Sequence, residues 1–179
     1  MITARQKRKE NIVEYLIYMW QTEDMIRACR FDMDEIESRI ISQYDRPEEV
    51  KQDIRQWYRE LIDMMRIEGV MEQGHIQINL NVAAELTDLH LRLLKSPQET
   101  VYGSLYYKTL PIIVQLRSKS GGKETGEVET CLTAVYGYLM LRLQGKEISA
   151  ETTEGIKQIS NLLAFLAAGF REEEEGRHV

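Results

Sequence analysis

Apolar positions recur at intervals of three and four along most of this chain, the spacing of a helix face. The densest stretch runs from Asn11 to Arg30. At about 100° per residue, Ile12, Leu16 and Trp20 line one side, flanked by Val13 and Ile17, while Tyr15, Met19 and Ile26 line another. Glu14, Gln21 and Ala28 leave only a narrow strip for water. A helix apolar nearly all round belongs inside a bundle, so a first helix over Thr3–Arg30 is expected at its centre.

The same pattern, punctuated by caps, yields the other helices. Asp32 offers an N-cap with Glu35 three residues on, and Ile36, Ile40 and Ile41 give a short second helix. Tyr44-Asp45-Arg46 forms a turn, and Pro47 suits a first helical position, where its missing N–H would have no partner. Glu48 and Glu49 then favour the positive end of the helix dipole. The third helix carries Val50, Ile54, Trp57, Leu61, Met64 and Met65 and stops near Gly69 or Gly74. His75-Ile76-Gln77-Ile78-Asn79-Leu80 alternates like a strand, but an isolated strand would have no pairing partner in this chain. A fourth helix, from His75 or Asn81 to Lys95, is expected instead. Ser96-Pro97-Gln98-Glu99 reads as the start of a fifth helix reaching Arg117, with a kink or break at Pro111. Ser118–Gly126 holds three glycines, two lysines and no large apolar residue, the pattern of a mobile loop. The sixth helix spans Glu127–Gln144 and ends at Gly145. The seventh, capped by Ser149, carries Ile156, Ile159, Leu162, Leu163, Leu166 and Phe170. Its acidic end, within a tail at 171–179, meets the negative end of the dipole and is expected to fray.

These elements predict an all-α fold: one domain over residues 1–179, an antiparallel bundle of six or seven helices with short connections. A length of 179 residues suits a single core. With 43% apolar and 29% charged residues, the chain falls in the globular class rather than the disordered one. The net charge of −6 argues against a nucleic-acid partner. Cys29 and Cys131 fit no metal-ligand spacing, and both lie in apolar helical runs, where buried reduced thiols are expected. No uninterrupted apolar run approaches the ~20 residues of a membrane helix, and the basic start lacks the cleavage pattern of a signal peptide. A cytoplasmic protein is expected.

Lys9 to Gln21 with Glu23-Asp24, then His90-Leu91-Arg92-Leu93-Leu94, and Ile148-Ser149 through Leu166 resemble an uncharacterised all-helical bacterial family known only as a domain of unknown function. The resemblance covers nearly the whole chain. It implies a helical domain and no activity.

Three constellations carry candidate chemistry. Glu23, Asp24 and Arg27 fall on the stripes that are apolar earlier in the first helix. They suit an exposed i,i+4 bridge worth ~0.2–0.5 kcal/mol, an internal network of paired charges, or a polar pocket lined with Trp20 and Tyr106. Second, Glu60-x-x-Asp63 and Glu85-x-x-Asp88 each place two carboxylates on one helical face, which on facing helices would suit Mg²⁺. The arrangement is similar to that of all-helical nucleoside-triphosphate pyrophosphohydrolases, though their first pair is Glu-x-x-Glu. Third, Glu72-x-x-His75 has the spacing that di-iron bundles use twice, but here it occurs once, and His90 reads as a capped or rim histidine. The tyrosines Tyr102, Tyr106, Tyr107, Tyr136 and Tyr138 suit a core with hydrogen-bonded hydroxyls. Arg5, Lys7, Arg8 and Lys9 suit a solvated face or contact with an acidic segment such as Glu172–Glu175.

The expected function is therefore that of a non-enzymatic protein acting through protein contacts, as a homodimer, with no cofactor and no membrane partner. The alternatives are a Mg-dependent nucleotide hydrolase using Glu60, Asp63, Glu85 and Asp88, and a small-molecule binder with its pocket beside Trp20.

Overall fold

A computed structural model describes residues 2–119 and 125–176. Every regular element among them is helical: α1 (Ile2–Glu10), α2 (Ile12–Ala28), α3 (Met33–Arg39), a 3₁₀ turn (Ile41–Gln43), α4 (Glu48–Ile67), α5 (Gln77–Lys95), α6 (Thr100–Lys119), α7 (Glu127–Leu143) and α8 (Ala150–Glu174). The all-helical expectation holds. The chain forms two compact units, Met1–Glu10 with Glu14–Asn81 and Asn11–Val13 with Val82–Val179.

The eighth α-helix arises where a single first helix was expected. The run from Thr3 to Arg30 breaks at Asn11, whose side-chain Oδ1 accepts a hydrogen bond from Val13 N–H at 3.0 Å. That local bond competes with the helical one and caps α2 instead. α2 ends at Ala28, two residues short of the expected stop, because Arg30 and Phe31 adopt φ of 53° and 60°. Phe31 N–H reaches back to Ile26 O and Arg30 N–H to Arg27 O, a left-handed closure built without glycine.

In the first unit, α2 buries Tyr15, Leu16, Met19, Trp20, Thr22, Glu23 and Ile26. Asp32 caps α3 as expected, accepting from Asp34 N–H at 2.8 Å. Pro47 sits one residue outside α4 rather than in its first turn. The buried stripe of α4 is Ile54, Tyr58, Leu61, Ile62 and Met65, displaced from the expected one because Tyr58 goes inside and Trp57 stays half-buried. A phenol buries its ring as readily as a purely apolar side chain once its hydroxyl has a partner.

In the second unit, α6, α7 and α8 pack against one another. α8 buries Ile159, Leu162, Leu163, Leu166, Ala167 and Phe170, close to the expected face, and Ser149 caps it by accepting from Thr152 N–H at 3.1 Å. Gly169 lets α8 come close to α5: a Cβ there would stand 3.7 Å from Leu89 Cδ2. Arg92 on α5 also grips Glu173 on α8. α8 stays helical through Glu174, so the acidic run begins inside the helix. Residues 177–179 of the expected tail, and 120–124 of the expected loop, lie outside the described residues.

The start signal at Ser96 misled. Ser96 N–H still bonds Arg92 O, closing α5, and Glu99 N–H bonds Ser96 O, so Ser96–Glu99 is a tight turn and α6 begins only at Thr100. α6 then passes Pro111 without a break; Pro111 and Tyr107, one turn earlier, are both exposed. On that side the carbonyl that loses its partner to proline meets water. At the end of α7, Gly145 takes φ 66° at the expected position, and Lys146 N–H bonds Leu141 O.

Candidate functional site

The charges at the end of α2 solve a structural problem inside the first unit. Glu23 has a fully buried side chain. Its Oε2 lies 2.6 Å from His75 Nδ1, and its Oε1 accepts from Asn79 Nδ2 at 2.7 Å and from Ile76 N–H at 3.2 Å. A carboxylate facing three donors is the condition under which a buried charge is tolerated. Because the carboxylate only accepts, the Nδ1 of His75 carries the proton that points at it. The imidazole also lies flat on the Trp20 ring, with centroids 4.2 Å apart and planes 10° apart.

Arg27 completes the arrangement without touching Glu23. It donates to Asp24 at 2.8 Å, to Val70 O at 2.9 Å and to Gly74 O at 2.5 Å. Glu68 accepts from Gln77 N–H at 2.5 Å. Thus Glu23 and Glu68 take the first N–H groups around the start of α5, which no intrahelical carbonyl can satisfy. Their negative charges also sit at the positive end of that helix. α2 pins the segment between Glu68 and Ile76 at Val70 and Gly74 through Arg27 and at His75 and Ile76 through Glu23. The i,i+4 Glu23–Arg27 bridge, one of the three arrangements the sequence leaves open, does not form: the two side chains hold separate sets of bonds, and Trp20 is 3% exposed.

A second polar cluster lies within the second unit. His90 Nδ1 is 2.6 Å from the Tyr102 hydroxyl, and its Nε2 is 3.3 Å from Glu127 Oε2. Tyr106 donates to Glu127 Oε1 at 3.2 Å. Tyr106 therefore works with Glu127 in this unit. Since Glu127 accepts only, Nε2 carries the imidazole proton and Nδ1 accepts a hydrogen bond from the Tyr102 hydroxyl, so each atom has one role. Burial pushes the His90 pKa down against the opposing pull of Glu127. Burial also raises Tyr102, and it raises Tyr106 and Cys131 each to about 12, with Glu127 adding to the shift of both. A thiol so shifted stays protonated at neutral pH and is a poor nucleophile.

The four carboxylates of the metal alternative, Glu60, Asp63, Glu85 and Asp88, are exposed. Glu60 accepts from Gln56 at 3.0 Å, and Asp63 stands 4.0 Å from Arg66. Among the described residues, no group of three His, Cys, Asp or Glu side chains is arranged to hold a metal ion. No described helix is long and apolar enough to cross a membrane.

The feature left unsatisfied is α7. Its beginning is buried at Val128, Thr130, Cys131 and Leu132. From Thr133 onward no residue is buried, although the sequence Ala134-Val135-Tyr136-Gly137-Tyr138-Leu139-Met140-Leu141-Arg142-Leu143 has a single charge. Leu141 is 42% and Leu143 63% exposed. Gly137 has nothing within 4 Å of the position a Cβ would take. Thr130, seven residues earlier on the same side, is only 7% exposed. One side of one helix thus passes from covered to bare within two turns.

Sequence reasoning missed the partners of Glu23, His75 and Asn79, which lie 52 and 56 positions away and carry no local signal. It also passed over the second half of α7, whose clue was visible: an apolar run with no polar side. Comparison with curated proteins finds no match, and comparison with solved structures finds none either. The family model described as a domain of unknown function, DUF4924, matches residues 1–177, and the chain belongs to that family.

Proposed function

We propose that this protein acts through protein–protein contacts rather than catalysis, in the cytoplasm, and that the second half of α7 is the contact surface. The observation that carries this is the apolar side of α7 centred on Gly137, where Thr133, Gly137 and Leu141 are exposed and Ala134 and Met140 only half-buried. Scattered exposed apolar residues are ordinary, whereas a contiguous apolar surface marks an interaction site. The other polar features support the same view. Glu23 and His90 direct their hydrogen bonds to their own chain, where they hold helices together. Cys29 and Cys131 are buried free thiols, the state favoured by a reducing compartment.

The test is a photo-reactive benzoylphenylalanine placed at Leu141 of the full chain, irradiated in cells. Adducts heavier than the chain are expected at Leu141. The same group at Lys157, an exposed polar position on α8, serves as the control. Equal yields at the two positions, or no adduct at Leu141, would overturn the proposal.

A further inference from the structure

We infer that the occupant of the α7 surface is a second copy of this chain, laid antiparallel across the first and crossing it at Gly137; this rests on the contact role just given to α7. Three observations point to it. The first is charge. α7 begins with Glu127 and Glu129, ends with Arg142 and is followed by Lys146, and no acidic residue lies between Glu129 and Glu147. Glu127 is held by His90 and Tyr106 of its own unit, but in an antiparallel pair centred on Gly137 the exposed Glu129 of each copy lies level with Gly145 of the other, between Arg142 and Lys146. A parallel pair would set like against like. The helix dipoles favour the same choice.

The second observation is the gradient of side-chain size along the exposed face. One turn before Gly137 stand Thr133 and Ala134; one turn after stand Met140 and Leu141. A twofold axis at Gly137 lays Leu141 of each copy over Ala134 of the other, and Met140 over Thr133, so large meets small at both ends. A face that fits itself under a twofold axis is the requirement of an isologous interface. The third is the space at Gly137, where the backbone is uncovered and a facing helix can approach closely. A face that carries no charge also meets its own copy without repulsion, which suits self-association better than recognition of a charged partner.

Light scattering on the full chain, from dilute to concentrated solution, tests the occupant. A mass rising from 20.9 kDa to twice that value is expected. A constant 20.9 kDa would overturn the second copy. Adducts of Leu141 with other proteins in cells would, in that case, leave the contact role standing. Orientation is read by cysteine pairing under mild oxidation: a mixture of the Ala134→Cys and Leu141→Cys chains should form a linked dimer, and neither chain alone should. Linkage of the Ala134→Cys chain to itself would mean a parallel pair and overturn the crossing. Gly137→Leu separates packing within the chain from packing between chains. A Cβ at this exposed position meets nothing within 4 Å in one copy, and leucine favours the helix, so circular dichroism should stay unchanged while the doubled mass is lost. Persistence of the doubled mass in Gly137→Leu would also overturn the crossing.

Discussion

α2 and α7 carry the same signature: long stretches with apolar residues on every side and few charges. Their surroundings differ. α2 buries residues from Ile12 to Ile26 on nearly all sides, and even its charge at Glu23 is enclosed and paired. α7 buries Val128, Thr130, Cys131 and Leu132, and beyond them its residues are half-buried or exposed, although they are no more polar. An all-round apolar helix therefore states that it needs a cover without stating who supplies it. In α2 the cover is the chain itself. In α7 the inferred cover is another copy.

Breaking the α2 side should have the largest effect. Glu23→Ala leaves His75 Nδ1, Ile76 N–H and Asn79 Nδ2 without their acceptor, and loss of one partner from a buried charged set costs about 3–5 kcal/mol. Urea unfolding should show that loss, whereas Asp24→Ala, at an exposed position, should cost ~0–1 kcal/mol. Equal effects would mean that Glu23 is not the clamp described.

The contrast between helices is read by paired truncations at dilutions where the chain is single. Leu16→Ala, at a position 0% exposed, should cost about 2–5 kcal/mol. Leu141→Ala should stay within about 0.5 kcal/mol. A Leu141 value approaching that of Leu16 would place α7 in the core of its own chain.

His90 sharpens the comparison through pH. Its pKa is lowered in the folded chain, so below its ordinary value the unfolded chain binds more protons than the folded one. The corresponding stability is complete above about pH 6.5 and declines as the solution is acidified through the folded value. Tm should fall from pH 7 towards pH 5, by less in His90→Gln, which can still donate to Glu127 and accept from Tyr102. Equal slopes in the two proteins would refute this role for His90.

The smallest effect concerns the end of α2. Arg30 and Phe31 hold left-handed backbone angles that cost side-chain-bearing residues roughly 1–2 kcal/mol each. Arg30→Gly should raise stability by about 1 kcal/mol in chemical denaturation. A loss of stability would show that Arg30 contributes through its side chain.

Much of the fold is legible in the sequence because caps and periodicity are local. Asp32, Ser149 and Gly145 stand where their chemistry places them, and the buried face of α8 follows from spacing alone. The break at Asn11 was less visible, since asparagine at the border of a charged and an apolar stretch reads equally as a tolerated polar position. Ser96 failed as a start signal because its N–H was already committed to the preceding helix. The polar cluster around Glu23 was legible only as a question. Buried charges need partners, but His75 and Asn79 become neighbours only when the segment after α4 folds back over α2. The uncovered half of α7 was written in its composition, yet the same composition in α2 means core.

The most direct test of the central claim is amide hydrogen exchange in the intact chain at two well-separated protein concentrations. Slower exchange over Ala134–Leu143 at the higher concentration is expected, with α2 unchanged between the two. Exchange of α7 that is indifferent to concentration would contradict the account.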